Sequence, residues 1–395
     1  MTPTQDRQLR IAIFSDSALP ILNGVSVSID SLVKGLRARG HSVHVFTAAH
    51  FRFRDPDPHT YRFFAVETPW TKGYPLAIPP FYPMLRHFRR IPFDIVHTHT
   101  PWTIGFVGLR WAQSHDVPVV STYHTLYDKY AHYIPFAPKR YVRYKIAKHT
   151  NFYYNQVAHV ITPSAASARW LSRHSVKTPT TIIPTGVRSY PSPGRAEARS
   201  RLGLHPEERM ILYTGRIAAE KNMKTLFEAA ALIMQRDPRV RLWLVGDGPA
   251  RTECVELTRA LGIGDRVRFV GFLPRPEVEP YYAAADLFLF CSMTETQGLV
   301  ISEAMSHGLP AVVVQGGGAS AAVDDGVNGF IARNDAQHLA ELVANLLDDD
   351  GLYLQVSTKA RQMARELSVE ATTDQVLDVY RDVLGVDLPQ PVSIR

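Results

Sequence analysis

Short apolar runs alternate with longer stretches of helical period along nearly the whole chain. The run Arg10-Ile-Ala-Ile-Phe-Ser15 is apolar at every interior position, as a strand buried on both faces must be. Residues 25–39 carry apolar side chains at helical spacing and stop before Gly40, as a helix with a terminal glycine does. Further strands are predicted at 41–47, 94–97, 117–121, 157–161 and 181–183. This alternation predicts a parallel sheet covered by helices on both faces. Residues 51–92 are rich in proline and aromatic side chains and show no assignable period.

The polar stretch Arg188-Ser-Tyr-Pro-Ser-Pro-Gly-Arg195 reads as a linker, and the alternation restarts beyond it. Strands are predicted at 210–213, 240–245, 267–270, 287–290 and 311–314. After Asp335 the pattern is helical, at 337–347, 352–367 and 369–384. A length of 395 residues suits two or three domains. The expected fold class is α/β, with two Rossmann-like parallel-sheet domains facing across a cleft. Residues 1–188 form the first domain, 189–368 the second, and 369–395 a final helix and tail. In open parallel sheets, ligands gather at the carboxyl ends of strands.

Composition narrows the class. The two cysteines, Cys254 and Cys291, fall inside predicted elements and fit a reduced protein better than a disulfide scaffold. The polar start is unlike a signal peptide, and no apolar stretch reaches bilayer-spanning length. The net charge of +7 is unevenly placed: residues 84–149 hold ten Lys or Arg against three acids, so the remainder is close to neutral. In that window Arg86, Arg89 and Arg90, then Lys139, Arg140, Arg143, Lys145 and Lys148, interleave with aromatic side chains. A basic helix carrying aromatics suits an anionic membrane surface, though a solvated helix face has the same composition. Nucleic acid is the rival partner, and no nucleic-acid-binding motif accompanies the charge.

The candidate chemistry lies at predicted strand ends. Glu295-Thr-Gln-Gly-Leu-Val-Ile-Ser-Glu303 follows the strand at 287–290. Glu295 falls in the loop, and Glu303 about two turns into the next helix. The backbone N–H groups of Gly298, Leu299 and Val300 at that helix start offer a phosphate cradle. Carboxylates on either side suit a molecule that is part phosphate and part polyol. Arg216 and Lys221 follow the strand at 210–213 and together can neutralise a diphosphate, although a solvated loop also carries such residues. Gly24, after the first strand, permits close backbone approach but lacks the G-x-G-x-x-G spacing of a nicotinamide site. His124 closes the strand at 117–121, and His97 and His99 close its neighbour on one face. No third ligand at metal spacing accompanies that pair, so no metal is expected. Glycine turns at Gly246 and Gly271 follow two further strands.

The Glu295–Glu303 spacing resembles the E-x7-E motif of retaining glycosyltransferases of family 4, which have the GT-B architecture of two facing Rossmann-like domains. The G-R-x-x-x-x-K pattern from Gly215 to Lys221, the glycine loop at Gly24 and the position of His124 are similar to the same family, over about residues 10 to 385. The resemblance implies that Arg216, Lys221, Gly24 and the amides of Gly298, Leu299 and Val300 take the donor diphosphate. It implies that Glu295 holds sugar hydroxyls, Glu303 the ribose, His124 the sugar ring and the Gly271 turn the base. His124, Glu295, Arg216 and Lys221 are thereby the expected catalytic set. It also implies a front-side retaining mechanism, and a final helix that crosses back to the first domain.

Thr294-Glu-Thr-Gln-Gly-Leu299, His97-Thr-His-Thr-Pro101, Tyr123-His-Thr-Leu-Tyr127 and Tyr130-Ala-His-Tyr-Ile134 resemble the branch that glycosylates diacylglycerol. That branch implies transfer of glucose from UDP-glucose to a lipid hydroxyl such as that of 1,2-diacylglycerol, forming an α-bond. It implies no cofactor, no required metal, and peripheral attachment at the cytoplasmic face of the cell membrane through the basic residues above. A GDP-mannose-dependent α-mannosyltransferase with a lipid or soluble acceptor is the alternative, followed by a sugar-nucleotide epimerase. One departure stands out: the family carries a glutamate shortly before the Asp325-Gly326 pair, where this chain has Ala321 and Ala322.

Overall fold

The computed structural model describes residues 8–21, 23–50, 53–66, 76–78, 91–126, 138–188, 190–295, 297–316 and 318–386. The chain divides into two units. One runs to Gly186 and takes in the segment from Val369 onward; the other is Val187–Ser368.

The first unit begins with β1 (Arg10–Ser15), α1 (Gly24–Ala38), β2 (Ser42–Ala48) and β3 (Thr60–Phe63). Ile11, Ala12, Ile13 and Phe14 are fully buried, as an interior parallel strand requires. Asn23 starts α1 with a capping box: its Oδ1 accepts the Ser26 amide at 2.9 Å, and the Ser26 hydroxyl oxygen accepts the Asn23 amide at 3.0 Å. A two-residue antiparallel ladder joins β4 (Ala65–Val66) to β5 (Leu76–Ala77). Then follow β6 (Ile95–Thr98), α2 (Thr103–Ser114), β7 (Val119–Thr122), α3 (Lys139–Tyr154), β8 (His159–Thr162), α4 (Ala165–Arg173) and β9 (Thr180–Ile182). The sheet order is β3-β2-β1-β6-β7-β8-β9, every pair parallel. The 51–92 segment, without a period in sequence, supplies β3 and the small ladder; strands this short cannot repeat a pattern.

Strand order reverses between β1 and β6, and Asp16 sits at that reversal. It accepts the Thr100 hydroxyl and, through Oδ1, the Ile104 amide at 3.0 Å. Asp16 thereby caps α2, whose own N-cap residue Trp102 makes no side-chain capping bond. Burial holds this carboxyl above the ordinary aspartate range against the pull of its hydrogen bonds.

The second unit runs through α5 (Arg195–Leu202), β10 (Arg209–Thr214), α6 (Met223–Arg236), β11 (Val240–Val245), α7 (Arg251–Ala260), β12 (Val267–Gly271), α8 (Glu279–Ala284) and β13 (Leu287–Phe290). It continues with α9 (Leu299–Ser306), β14 (Ala311–Val314), β15 (Gly329–Ala332), α10 (Ala336–Asp348) and α11 (Asp350–Glu366). Its sheet order is β12-β11-β10-β13-β14-β15, again all parallel. Leu212, Leu244, Phe288, Leu289, Val312 and Val313 are inaccessible at its centre. Sequence patterning did not anticipate β15, an edge strand of four residues opened by a glycine.

The last helix, α12 (Val369–Leu384), belongs to the first unit. A Cβ on Gly35 of α1 would stand 2.1 Å from Thr373 Oγ1 of α12, so glycine permits this close packing. Arg39 pairs with Asp374, and the Tyr380 hydroxyl lies 2.6 Å from His97 Nδ1. His97 Nε2 lies 2.7 Å from Thr122 Oγ1. His97 stacks on His99, and His99 on His124, with centroids 4.2 and 5.1 Å apart.

Burial pushes His97 and His124 down to about 3 and His99 well below its ordinary value, so this row is uncharged at neutral pH. Below about pH 6.5 the unfolded chain takes protons on these rings and the folded protein does not, so acidification favours unfolding. Stability should fall by on the order of 1 kcal/mol per pH unit for each ring. Urea midpoints at pH 7.5 and 5.5 check this: a lower midpoint at pH 5.5 is expected, and an unchanged one contradicts it.

Candidate active site

The strand reversal in the second unit falls between β10 and β13, so the loops after these strands flank the crevice that the reversal opens. The β10 loop is built on glycine. Gly215 adopts φ 141°, and a Cβ on Gly246 would lie 1.9 Å from the Gly215 carbonyl oxygen. A Cβ on Gly248 would lie 2.2 Å from Ile217 O. The Gly246-Asp-Gly248 turn after β11 is therefore a shelf for the β10 loop, to which the Asp247 carbonyl bonds by accepting the Ile217 amide at 3.0 Å. Tyr213 also donates to Arg216 O at 3.0 Å, and Asn222 to Cys291 O at 3.2 Å.

On this support the Lys221 ammonium pairs with the Glu295 carboxylate. Two residues chosen separately from sequence thus share one contact. Arg216 is exposed and carries no ion pair among the described residues. Gly298 takes φ 75° as the N-cap of α9 and offers no side chain to the first turn, leaving the Leu299 and Val300 amides without a side-chain cap. The helix therefore starts at Leu299, one residue later than expected, with Gly298 as its left-handed cap. A Cβ on Gly298 would press Ile301 Cδ1 at 3.0 Å and Ala319 Cα at 3.2 Å. The Glu295 carbonyl accepts the Gly318 amide at 2.5 Å, which anchors the loop.

Glu303 has partners of its own within the second unit. Its Oε1 lies 2.7 Å from Arg275 Nη2, and its Oε2 accepts the Tyr282 hydroxyl at 2.9 Å. Tyr282 in turn lies 2.7 Å from Thr214 Oγ1, which ties the cluster to the end of β10. Arg275 also pairs with Glu279, whose other oxygen stands 2.9 Å from His307 Nε2. Its guanidinium lies over the rings of Tyr190 and Tyr282 at 5.3 and 5.4 Å. Sequence reasoning missed Arg275 and Tyr282. The signal was present as Arg275 and Glu279 one helical turn apart, but the partnership with Glu303 is tertiary.

In the first unit, His124 is buried with its Nε2 2.8 Å from His99 Nδ1. Gly24 is exposed on the first turn of α1, and no atom lies within 4 Å of where its Cβ would be. Gly271, in the second unit, adopts φ 95° at the end of β12, and its carbonyl accepts the Gly246 amide at 2.8 Å. The basic stretch at 138–149 lies on α3, which starts at Lys139 and runs five residues beyond His149. It turns Lys139, Arg140, Arg143, Lys145 and Lys148 outward with Tyr141, Tyr144 and Phe152, while Val142, Tyr153 and Tyr154 pack inward. Arg86, Arg89 and Arg90 lie outside the described residues, as does the Tyr130-to-Ile134 motif. Among the described residues, no group of three or more His, Cys, Asp or Glu is placed to hold a metal ion, and no helix is long and apolar enough to cross a membrane.

Two family descriptions match the chain: "Glycosyltransferase Family 4" over residues 22–189 and "Glycosyl transferases group 1" over residues 194–363. An alpha-monoglucosyldiacylglycerol synthase of Acholeplasma laidlawii is 32% identical over 94% of this chain and 97% of its own. A synthase of the same name from Streptococcus pneumoniae is 32% identical over 77% of this chain and 70% of its own. Among solved structures, sucrose-phosphate synthase from Thermosynechococcus elongatus superposes with a TM-score of 0.78 at 25% identity, covering 96% of this chain and 100% of that one.

The Arg275 cluster makes a direct prediction about stability. Glu279 is 2% exposed, and removing its cation leaves a nearly unpaired buried charge. Arg275→Ala should lower the unfolding free energy by about 3 kcal/mol or more. Glu303→Gln, which keeps one acceptor for Tyr282, should lose about 1 kcal/mol. Urea unfolding of the two variants checks the order; an Arg275→Ala protein of full stability contradicts it.

Proposed function

Because this chain belongs to family 4 of the glycosyltransferases, as a nucleotide-sugar-dependent hexosyltransferase of GT-B fold, we propose that it moves glucose from UDP-glucose to the free hydroxyl of a membrane diacylglycerol with retention of configuration. The observation that carries the acceptor is the 32% identity, across 94% of the chain, to a relative named for that product.

Arg216, Lys221 and the amides of Leu299 and Val300 take the diphosphate, with the backbone at Gly24 and Gly298 allowing close approach. Glu295 accepts from hydroxyls of the hexose, and Glu303 from those of the ribose. Each carboxylate has acceptor sites beyond those used by Lys221, Arg275 and Tyr282. The Gly271 turn lies against the base. His124 hydrogen-bonds a hydroxyl of the transferred sugar. The bond from the anomeric carbon to phosphate oxygen breaks as the bond to the acceptor oxygen forms on the same face. The acceptor proton passes to the departing phosphate, so no separate base is needed. Cationic and amide stabilisation of that leaving group supplies the rate enhancement.

Helix α3 docks the protein on anionic lipid. Its five outward cations contribute about 1 kcal/mol each near such a surface, and its exposed aromatics suit the interface. On this reading the enzyme works peripherally at the cytoplasmic face of the membrane.

Three experiments test this reading. Purified protein is incubated with UDP-glucose, UDP-galactose or GDP-mannose and diacylglycerol vesicles, with and without anionic lipid, and the lipid extract is analysed by mass spectrometry. Glucosyl-diacylglycerol made from UDP-glucose, and more of it with anionic lipid, is expected; mannosyl product from GDP-mannose alone overturns the donor, and slow UDP release without lipid product overturns the acceptor. Glu295→Ala should abolish transfer with the circular dichroism spectrum intact. Reversing Arg140, Arg143 and Lys148 to glutamate should release the protein from anionic vesicles while leaving UDP binding unchanged.

A further inference from the structure

The histidine row in the first unit has one nitrogen without a partner. His99 is 1% exposed, its Nδ1 lies 2.8 Å from His124 Nε2, and its Nε2 is buried with no hydrogen-bond partner. The burial that keeps both rings neutral leaves each with one proton to place. Two arrangements satisfy the 2.8 Å contact. Either His99 Nδ1–H donates to His124 Nε2, or His124 Nε2–H donates to His99 Nδ1. The second puts the remaining proton of His99 on Nε2, as a buried N–H with nothing to accept it. Orphaned buried donors are rarer and costlier than under-used acceptors, so the first arrangement is favoured. His124 then carries its own proton on Nδ1. That nitrogen has no hydrogen-bond partner among the described residues and is the edge of the ring left for a ligand.

Ring orientation is held from behind. His97 is pinned at both nitrogens, by Tyr380 at 2.6 Å and Thr122 at 2.7 Å, and His99 stacks on it with planes 27° apart. His99 is in turn stacked on His124 at 18°. A pocket bounded by Ser31, His97, His99, Thr122, Thr185 and Thr373 borders the row on the side of α1 and α12.

We propose that His99 is a positioning residue that holds His124 in the Nδ1-protonated tautomer, so that His124 meets the substrate as a hydrogen-bond donor. This rests on the reading that His124 touches the transferred sugar. A His124 so fixed donates to a sugar oxygen and cannot accept from a hydroxyl through Nδ1. His99 itself touches no substrate.

The test is a mutant cycle read in the UDP-glucose and diacylglycerol vesicle assay. His99→Phe keeps the stacked ring and removes the hydrogen bond; kcat should fall about 10- to 100-fold with KM for UDP-glucose within about threefold. His99→Asn, which returns an amide near the Nδ1 position, should recover part of that loss. In a His124→Ala background, His99→Phe should cost nothing further, because a residue acting through another adds nothing once that partner is gone. Nitrogen-15 spectra of histidine-labelled wild-type protein, with His124 assigned by its loss in His124→Ala, should show Nδ1 protonated and Nε2 bare. The outcomes separate. Full transfer by His124→Ala overturns the reading of His124 and the proposal with it. A slow His124→Ala that His99→Phe slows by the same factor again overturns the proposal alone, as does a spectrum with the proton on His124 Nε2. The spectrum is taken on the wild type, so it decides the tautomer even if His99→Phe does not fold.

Discussion

Both sheets are parallel and covered on both faces, so polar chemistry has only the strand ends to occupy. Ile11 to Phe14 in one sheet, and Leu212, Phe288 and Val312 in the other, leave no room for a charge within the central strands. The strand order then selects among the ends. Where it reverses, adjacent loops part in opposite directions and leave space. Asp16 and Thr100 meet at the reversal in the first sheet, and Lys221 and Glu295 at the reversal in the second. The glycines follow from the same constraint. Gly246 and Gly248 lack side chains because the loop carrying Arg216 and Lys221 rests directly on their backbone.

Both glutamates of the E-x7-E pair are held by cations of the second unit. Lys221 holds Glu295, and Arg275 holds both Glu279 and Glu303. Such pairing limits the desolvation penalty of half-buried ions and keeps both carboxylates oriented. It also sets a threshold for any ligand. An incoming anion would compete with Glu295 for Lys221, so a neutral sugar alone gains little there. Discrimination by exchange of partners favours a molecule carrying phosphate and hydroxyls together.

Much of this was legible in the chain because it rests on local pattern. The strands at 240–245, 287–290 and 311–314 and the helix at 369–384 agree with the structure at both ends, since continuous apolar runs and helical period are properties of neighbouring residues. That Glu295, Gly298 and Lys221 follow strand ends was legible from the pattern beside them, and the structure has them there. Arg275 and Tyr282 were not legible, because their link to Glu303 joins residues 21 or more positions apart and leaves no periodic trace. The His99–His124 contact likewise spans 25 positions and needs the β6–β7 register to be known. The strand β15 escaped notice because a four-residue edge strand opened by glycine carries too few side chains to declare itself.

The first unit is completed by the last helix of the chain, and this has a consequence for how the protein is made. Ile29, Val33 and Leu36 of α1 share a buried cluster with Val376, Leu377 and Tyr380 of α12. More than 180 residues of the other unit are synthesised between these two surfaces. At the ribosome the N-terminal unit therefore emerges with the apolar patch that α12 covers still open, and with His97 lacking its tyrosine. The second unit, continuous in sequence, can close its core before the first does. The nascent chain carries that open apolar patch while the whole second unit is made, and exposed apolar surface in this interval favours aggregation more than anything in the finished fold does.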